Sequence, residues 1–547
     1  MSEPCPPPSL SSASRSGLLA GLEGERFDLV VVGGGITGAG VARDGARRGL
    51  RVALVEGNDF AAGTSSRSSK LIHGGLRYLA MGDIGLVRET APERRAVHQM
   101  APHLAEPCWM VVPAGSRASL MKFRAGIGTY EKLGAVDDAD RHLIWDRDAL
   151  GECEPRLRRD EFPWACAYRE YMTDDARLVL AVLRDAVAAG AQVAGRLPVV
   201  GVIWEGDRIG GVIATCEVTG ERVEIRGGAV VNATGPWVEH LAGFEQKIAV
   251  NRLHPSKGIH VVVDAARLPV RNLMVVSTPD KRTIFLLPRG DTVAIGTTDT
   301  TYHGDQFLWP EIEPADVEYL LRPLERYFDV EPLGFDDVVA AWSGVRPLVA
   351  QKGKKAQEIS RKEEVWVGTG GMITVAGGKL TGFRIMAMTV LDFVADRLGL
   401  RLGPSPGPEP LPGGNLASNL DDHAASVATT TGVARPMADR LVRLYGDETS
   451  QVLARGSQPV VPGGRVATGE IEWAVMVDGA LTLEDLIYRR TRAAWYTPAE
   501  REALLTPAAA RMAELLGWNS TRTTQEIETV RTRFDHELQF KNYPEKS

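Results

Sequence analysis

Phe27-Asp28-Leu29-Val30-Val31-Val32 runs straight into Gly33-Gly34-Gly35-Ile36-Thr37-Gly38, and that junction decides the fold. The first stretch reads as a buried strand. Gly40 to Gly49 reads as a helix, and Arg51-Val52-Ala53-Leu54-Val55-Glu56 as a second strand ending in an acid. Strand, G-x-G-x-x-G, helix, strand and carboxylate in this order predict a dinucleotide-binding βαβ unit. Gly33 permits the tight turn, Gly35 lets backbone N–H groups approach a pyrophosphate, and Gly38 brings helix and strand close. The helix N-terminus adds partial positive charge. Glu56 accepts hydrogen bonds from an adenosine ribose and repels a 2′-phosphate.

The residues after Glu56 separate nicotinamide from flavin. Instead of another helix, the chain continues Gly63-Thr64-Ser65-Ser66-Arg67-Ser68-Ser69-Lys70-Leu71-Ile72-His73-Gly74-Gly75-Leu76-Arg77-Tyr78. Hydroxyls and glycines at this density suit the ribityl and pyrophosphate of FAD, although Ser and Gly also favour a surface loop. Five further segments are Lys257-Gly258-Ile259-His260, Gly296-Thr297-Thr298-Asp299-Thr300, Ser343-Gly344-Val345-Arg346-Pro347-Leu348, Gly377-Gly378-Lys379-Leu380-Thr381 and Arg489-Arg490-Thr491-Arg492. With these in order, the sequence resembles the FAD-dependent glycerol-3-phosphate dehydrogenases of the D-amino-acid-oxidase-like flavoproteins, over about residues 26 to 530. The resemblance implies non-covalent FAD and oxidation of sn-glycerol 3-phosphate to dihydroxyacetone phosphate. In that reaction hydride passes from C2 to flavin N5, and the electrons go on to a respiratory-chain quinone.

The 547 residues exceed one compact core, so roughly two or three domains are expected. A net charge of −7 argues against a general nucleic-acid surface. Five scattered cysteines without a C-x-x-C pair suggest idle thiols in a reducing cytosol, with no metal site. No apolar run is long enough to span a bilayer. The expected location is cytoplasmic, with peripheral contact at the inner face of the plasma membrane and a homodimeric assembly.

Residues 1–24, rich in Ser and Pro, are expected to be a disordered tail. Glycine-rich motifs recur at Asn232-Ala233-Thr234-Gly235 and before Lys379, with strand-rich text between them. The expected architecture is α/β. A Rossmann-like FAD-binding domain (25–105, 165–250, 340–400) is interleaved with a sheet-rich α+β substrate domain (106–164, 251–339). Gly403 to Gly414, dense in proline, predicts a spacer over 401–414. Residues 415–547 then predict an all-α domain. In it Thr497-Pro498-Ala499-Glu500 reads as a capping box, and Ile527, Val530, Phe534 and Leu538 recur at helical spacing.

Oxidising a secondary alcohol needs an electron sink, a base for the hydroxyl proton and groups that hold the carbinol over the sink. His260 is the candidate base, since neutral imidazole titrates near working pH. A phosphorylated substrate carries close to two negative charges and needs several cations. Arg77, Arg346 and Lys379 stand in glycine-rich or turn contexts, and the resemblance puts them, with Tyr78 and Thr381, at the substrate. For the cofactor the candidates are Gly33, Gly35, Gly38 and Glu56; then Thr64, Ser65, Ser68, Ser69, Leu71, His73 and Gly74. Val199 is expected at the adenine, Ala233, Thr234 and Gly235 beside adenosine or pyrophosphate, and Gly378 to Thr381 over the flavin ring. An oxygen-using oxidase and an amine or amino-acid oxidase on the same scaffold remain the alternatives.

Overall fold

The computed structural model describes residues 7–11, 15–74, 84–134, 136–245, 252–351 and 362–543. Two sheets organise it. The first runs Glu364–Val367, Ile373–Ala376, Arg222–Asn232, Arg26–Val32, Val52–Val55, Gln192–Ala194, and all but the first of these strands pair in parallel. An antiparallel hairpin, Val199–Glu205 and Arg208–Thr215, extends from the strand Arg222–Asn232. Leu29, Val30 and Val31 are fully buried, as expected for a central strand covered on both faces. The helix Ile36–Arg47 covers one face, packed against the helices Asp175–Ala188 and Phe383–Leu398.

The second sheet is mostly antiparallel. At one end Leu253–Asp264 pairs with Val338–Val349, in a register that sets His260 opposite Trp342 and Ser256 opposite Arg346. Thr292–Gly296, Thr283–Arg289, Leu273–Ser277, Ala105–Ala114, Trp164–Thr173 and Leu71–Ile72 complete the path. Interleaving is therefore present, but the strands divide differently from the expected segments. Leu71–Ile72, Trp164–Thr173 and Val338–Val349 all belong to the second sheet, not to the nucleotide-binding one. The reason is pairing: an apolar strand carries no local mark of its partner, and these find antiparallel neighbours across the cleft.

The expected disordered tail is corrected over its described residues. Arg15–Gly24 is a helix with Leu19 and Leu22 buried against the first sheet, and buried Arg15 donates to the carbonyls of Gly195 and Arg196. Leu10 is buried too, its N–H donated to the Val477 carbonyl. Composition counted Ser and Pro there and passed over the few apolar residues that dock.

After the proline-rich segment, helices run from Leu420–Thr431 to Ser520–Glu537. The last of these buries Val530 and Phe534, while Ile527 and Leu538 are partly buried. The capping box is not formed: the helix begins at Arg501, and Glu500 accepts from the Arg465 N–H instead. Tyr488, Trp495, Val530 and Phe534 share one apolar cluster with Trp342 and Val262 of the second sheet. The helical part is thus packed onto the rest through a common core.

Candidate active site

The carboxyl ends of the parallel strands Arg26–Val32 and Arg222–Asn232 open into a cavity of about 1140 Å³ that reaches across to the second sheet. This is where an open parallel sheet holds its ligand. Gly33 turns at φ 114°, and a Cβ there would sit 2.5 Å from the Ala233 oxygen. A Cβ on Gly38 would lie 1.9 Å from the Gly33 oxygen, so the helix meets the strand only because that position is bare. Gly38 accordingly packs behind the cavity, whereas Gly33, Gly35, Ile36 and Thr37 line it.

The helix Ile36–Arg47 has no side-chain cap at its N-terminus, and its first N–H donates to Ser65 Oγ at 3.0 Å. With glycine at the N-cap and only that one N–H bonded by a side chain, a helix start facing a cavity is a ready anion site. Glu56 completes the cradle: its two carboxylate oxygens accept the N–H groups of Gly34 and Asn58, each at 2.7 Å. Burial pushes its pKa up, against the pull of those two N–H groups. The helix start, the bare glycines and the carboxylate suit a dinucleotide, pyrophosphate at the helix and ribose at Glu56. FAD fits these residues.

The hydroxyl-rich segment forms the next wall, with Thr64, Ser65, Ser68, Ser69, Leu71 and His73 on the cavity. Gly74 does not reach it. Its N–H donates to Tyr130 Oη at 3.0 Å, and its carbonyl accepts from Thr90 Oγ1. Val199, Ala233, Thr234 and Gly235 also line the cavity, as do Gly378, Lys379, Leu380 and Thr381. Thr381 Oγ1 donates to the His73 carbonyl at 3.3 Å, joining two of these segments. Arg77 and Tyr78 lie outside the described residues.

Arg346 lines the same cavity, laid over Gly258 and donating to Thr297 Oγ1 at 3.0 Å and the Thr298 carbonyl at 3.3 Å. Asp299, which also accepts from Ser256 Oγ, sits 3.5 Å from its guanidinium. Lys379 lines the wall as well, and Lys122, Lys281 and Arg282 are further cations on it.

His260 lies behind the wall, not on it. The imidazole is fully buried and does not line the cavity; Ser69 stands between, its Oγ 2.9 Å from Nε2. The ring stacks on Trp342 at 4.7 Å, and Nδ1 has no hydrogen-bond partner among the described residues. Burial, with the charges of Lys70 and Arg346, holds its pKa well below the usual imidazole range, so it is neutral at working pH. Strand register turns His260 into the interior between sheet and helices, which the position of a histidine in a motif cannot reveal.

Several cavity residues escaped the sequence reading. Arg67 lines the wall with its guanidinium 3.7 Å over the Trp309 ring, and burial lowers its pKa to about 10. Asn58 stands beside Glu56. Glu170 reaches the cavity from the second sheet, paired with Arg94 at 3.1 Å and accepting from Tyr130 Oη at 2.8 Å. Only Arg67 carried a signal, its place inside the hydroxyl-rich run. A further wall is apolar, built by Met110, Val112, Phe123, Ile127 and Phe285.

Residues 28–384 match the family of FAD-dependent oxidoreductases, and residues 408–523 match the C-terminal domain of alpha-glycerophosphate oxidase. The aerobic glycerol-3-phosphate dehydrogenase of Staphylococcus epidermidis is 32% identical over 544 residues, covering 96% of this chain and 98% of the relative. The Bacillus subtilis protein of the same name is 34% identical over 500 residues, covering 88% and 90%. Among solved structures, the glycerol-3-phosphate dehydrogenase from Bacillus halodurans complexed with FAD superposes with a TM-score of 0.79 at 30% identity, covering 96% and 98%. With a dinucleotide cradle that fits FAD and similarity running nearly end to end, this chain belongs to the FAD-dependent glycerol-3-phosphate dehydrogenase family.

Proposed function

We propose that this protein oxidises sn-glycerol 3-phosphate to dihydroxyacetone phosphate and passes the electrons to a quinone. One observation carries the reading: the cavity that holds the dinucleotide cradle also holds Arg346 and Lys379, cations suited to a phosphorylated substrate. When bound, FAD supplies the hydride sink at N5.

Arg346 and Lys379 neutralise the phosphate and orient C2, with Arg77 and Tyr78 assigned to the same task from the family pattern. The C2 hydroxyl donates its proton to Ser69 Oγ, which hands its own to His260 Nε2. Neutral imidazole is the form able to accept it, in the tautomer whose proton sits on Nδ1. Thr381, tied to His73, supports the wall opposite.

The apolar wall of Met110, Val112, Phe123 and Phe285 offers a flat quinone ring a dry surface beside the cofactor. Among the described residues no helix is long and apolar enough to cross a membrane. A lipid-borne quinone would then be met by peripheral contact with the inner face of the plasma membrane.

Anaerobic titration tests the substrate. Glycerol 3-phosphate should bleach the flavin band, while glycerol and amino acids leave it. Bleaching by an amino acid instead would make the protein an amino-acid oxidase. Hydrogen peroxide formed in step with substrate under air would replace the quinone with oxygen.

A further inference from the structure

Arg489-Arg490-Thr491-Arg492 touches no part of the cavity, yet it is among the most deeply buried charge groups of the chain. Its partners lie far off in sequence. Arg490 grips Asp59 with both terminal nitrogens, at 2.6 and 2.7 Å, across 431 residues, and Arg489 Nε donates to the same carboxylate. Arg492 meets Asp174 at 3.1 Å and Asp175 at 3.0 Å. Asp175 also accepts from Ser68 Oγ at 2.7 Å and Lys70 Nζ at 2.8 Å.

These contacts bracket the segment from Asn58 to Lys70, whose other face is cavity wall through Asn58, Ala62, Thr64, Ser65, Ser68 and Ser69. Two local features hold the arginines in place. Asp485–Arg490 is wound as a π-turn, with the Thr491 N–H reaching the Leu486 carbonyl, and such turns recur at functional sites. Arg492 adopts φ 61°, a left-handed conformation that a residue with a Cβ holds only when its surroundings force it. Trp495 lies three residues on and packs its ring 4.8 Å from Trp342, the ring on which His260 stacks.

Buried ion pairs contribute little net stability, because desolvation offsets their attraction, so stability alone does not account for the four that these arginines make with Asp59, Asp174 and Asp175. We infer that Arg489, Arg490 and Arg492 are positioning residues by which the C-terminal helical domain shapes the cofactor site: Arg489 and Arg490 pin the Asp59 end of the segment, and Arg492 pins the Ser68–Lys70 end through Asp175. The inference rests on the cavity being the FAD site. Bidentate geometry is central to it, since a lysine keeps the charge and loses the fork.

The test uses full-length apoprotein of Arg490→Lys, Arg490→Gln and Arg492→Lys, titrated with FAD by flavin fluorescence and followed by hydrogen exchange without cofactor. Each variant should raise the FAD dissociation constant about tenfold or more, the usual scale for a lost charge-assisted contact. Exchange should rise selectively over residues 58–70 and stay unchanged over the central strand 26–32. The reconstituted variants should lower kcat more than they raise KM for glycerol 3-phosphate, because Ser69 moves while Arg346 and Lys379 do not. Should Arg490→Gln be insoluble, the two lysine variants decide. Variants that match wild type in FAD affinity and in exchange over 58–70 would overturn the inference. Failure of wild type itself to take up FAD would instead sink the reading of the cavity.

Discussion

Removing the imidazole of His260 interrogates the proposed chemistry most directly. A positioned general base contributes roughly two to four orders of magnitude, about 2.7–5.4 kcal/mol of barrier. The proposed relay routes that whole contribution through one contact, the 2.9 Å pair between Nε2 and Ser69 Oγ, because Nδ1 has no partner among the described residues. Ser69→Ala should therefore slow anaerobic flavin reduction nearly as much as His260→Ala. The double variant should be little worse than either, as for groups that act as a unit. His260→Gln keeps a polar group toward Ser69 without a base, and it guards against collapse of the space beside Trp342. Stopped-flow reduction by glycerol 3-phosphate, measured against pH, is the assay. Since burial and two neighbouring cations depress the imidazole pKa, the acid limb of wild type should fall below the ordinary histidine range and vanish in His260→Ala. FAD content should hold in the His260 variants, since that side chain does not line the cavity. Rapid, pH-dependent reduction in Ser69→Ala would refute the relay, and loss of FAD in His260→Ala would make that residue structural.

Arg346→Ala and Lys379→Ala should each cut kcat/KM for glycerol 3-phosphate by roughly ten- to a hundredfold, from about 1.5–3 kcal/mol per lost charge-assisted bond; wild-type steady-state values in both would end the phosphate reading. Glu56→Ala should weaken FAD retention without changing substrate preference, because its carboxylate orders Gly34 and Asn58 at the cradle; equilibrium dialysis of FAD checks it. Gly38→Ala drives a Cβ into the Gly33 carbonyl, so thermal melts should show a loss of about 1–3 kcal/mol or more together with released flavin. His103, buried beside Arg177 and Arg184, has its pKa pushed down to about 3 by burial. The unfolded chain therefore binds a proton that the folded chain refuses. Stability should fall as pH drops below about 6.5, and denaturant titrations of His103→Gln should show a shallower slope.

Local spacing alone determined the βαβ unit, the tight turn at Gly33, the place of Gly35 and Glu56 beside it on the cavity wall, and the order of the segments that build that wall. Each of these depends on backbone geometry within a few residues, where glycine, a carboxylate or a run of hydroxyls has a direct conformational meaning. Most of the cavity wall was legible for the same reason. Tertiary structure decided which sheet received Val338–Val349, and whether His260 faced the cavity or lay behind Ser69. It also decided that Arg489, Arg490 and Arg492 would meet Asp59, Asp174 and Asp175. A strand's partner, a side chain's inward turn and a buried ion pair more than 300 residues apart depend on what else is buried nearby. The free energy of such burial belongs to the assembled core, so no short stretch of the chain carries its sign.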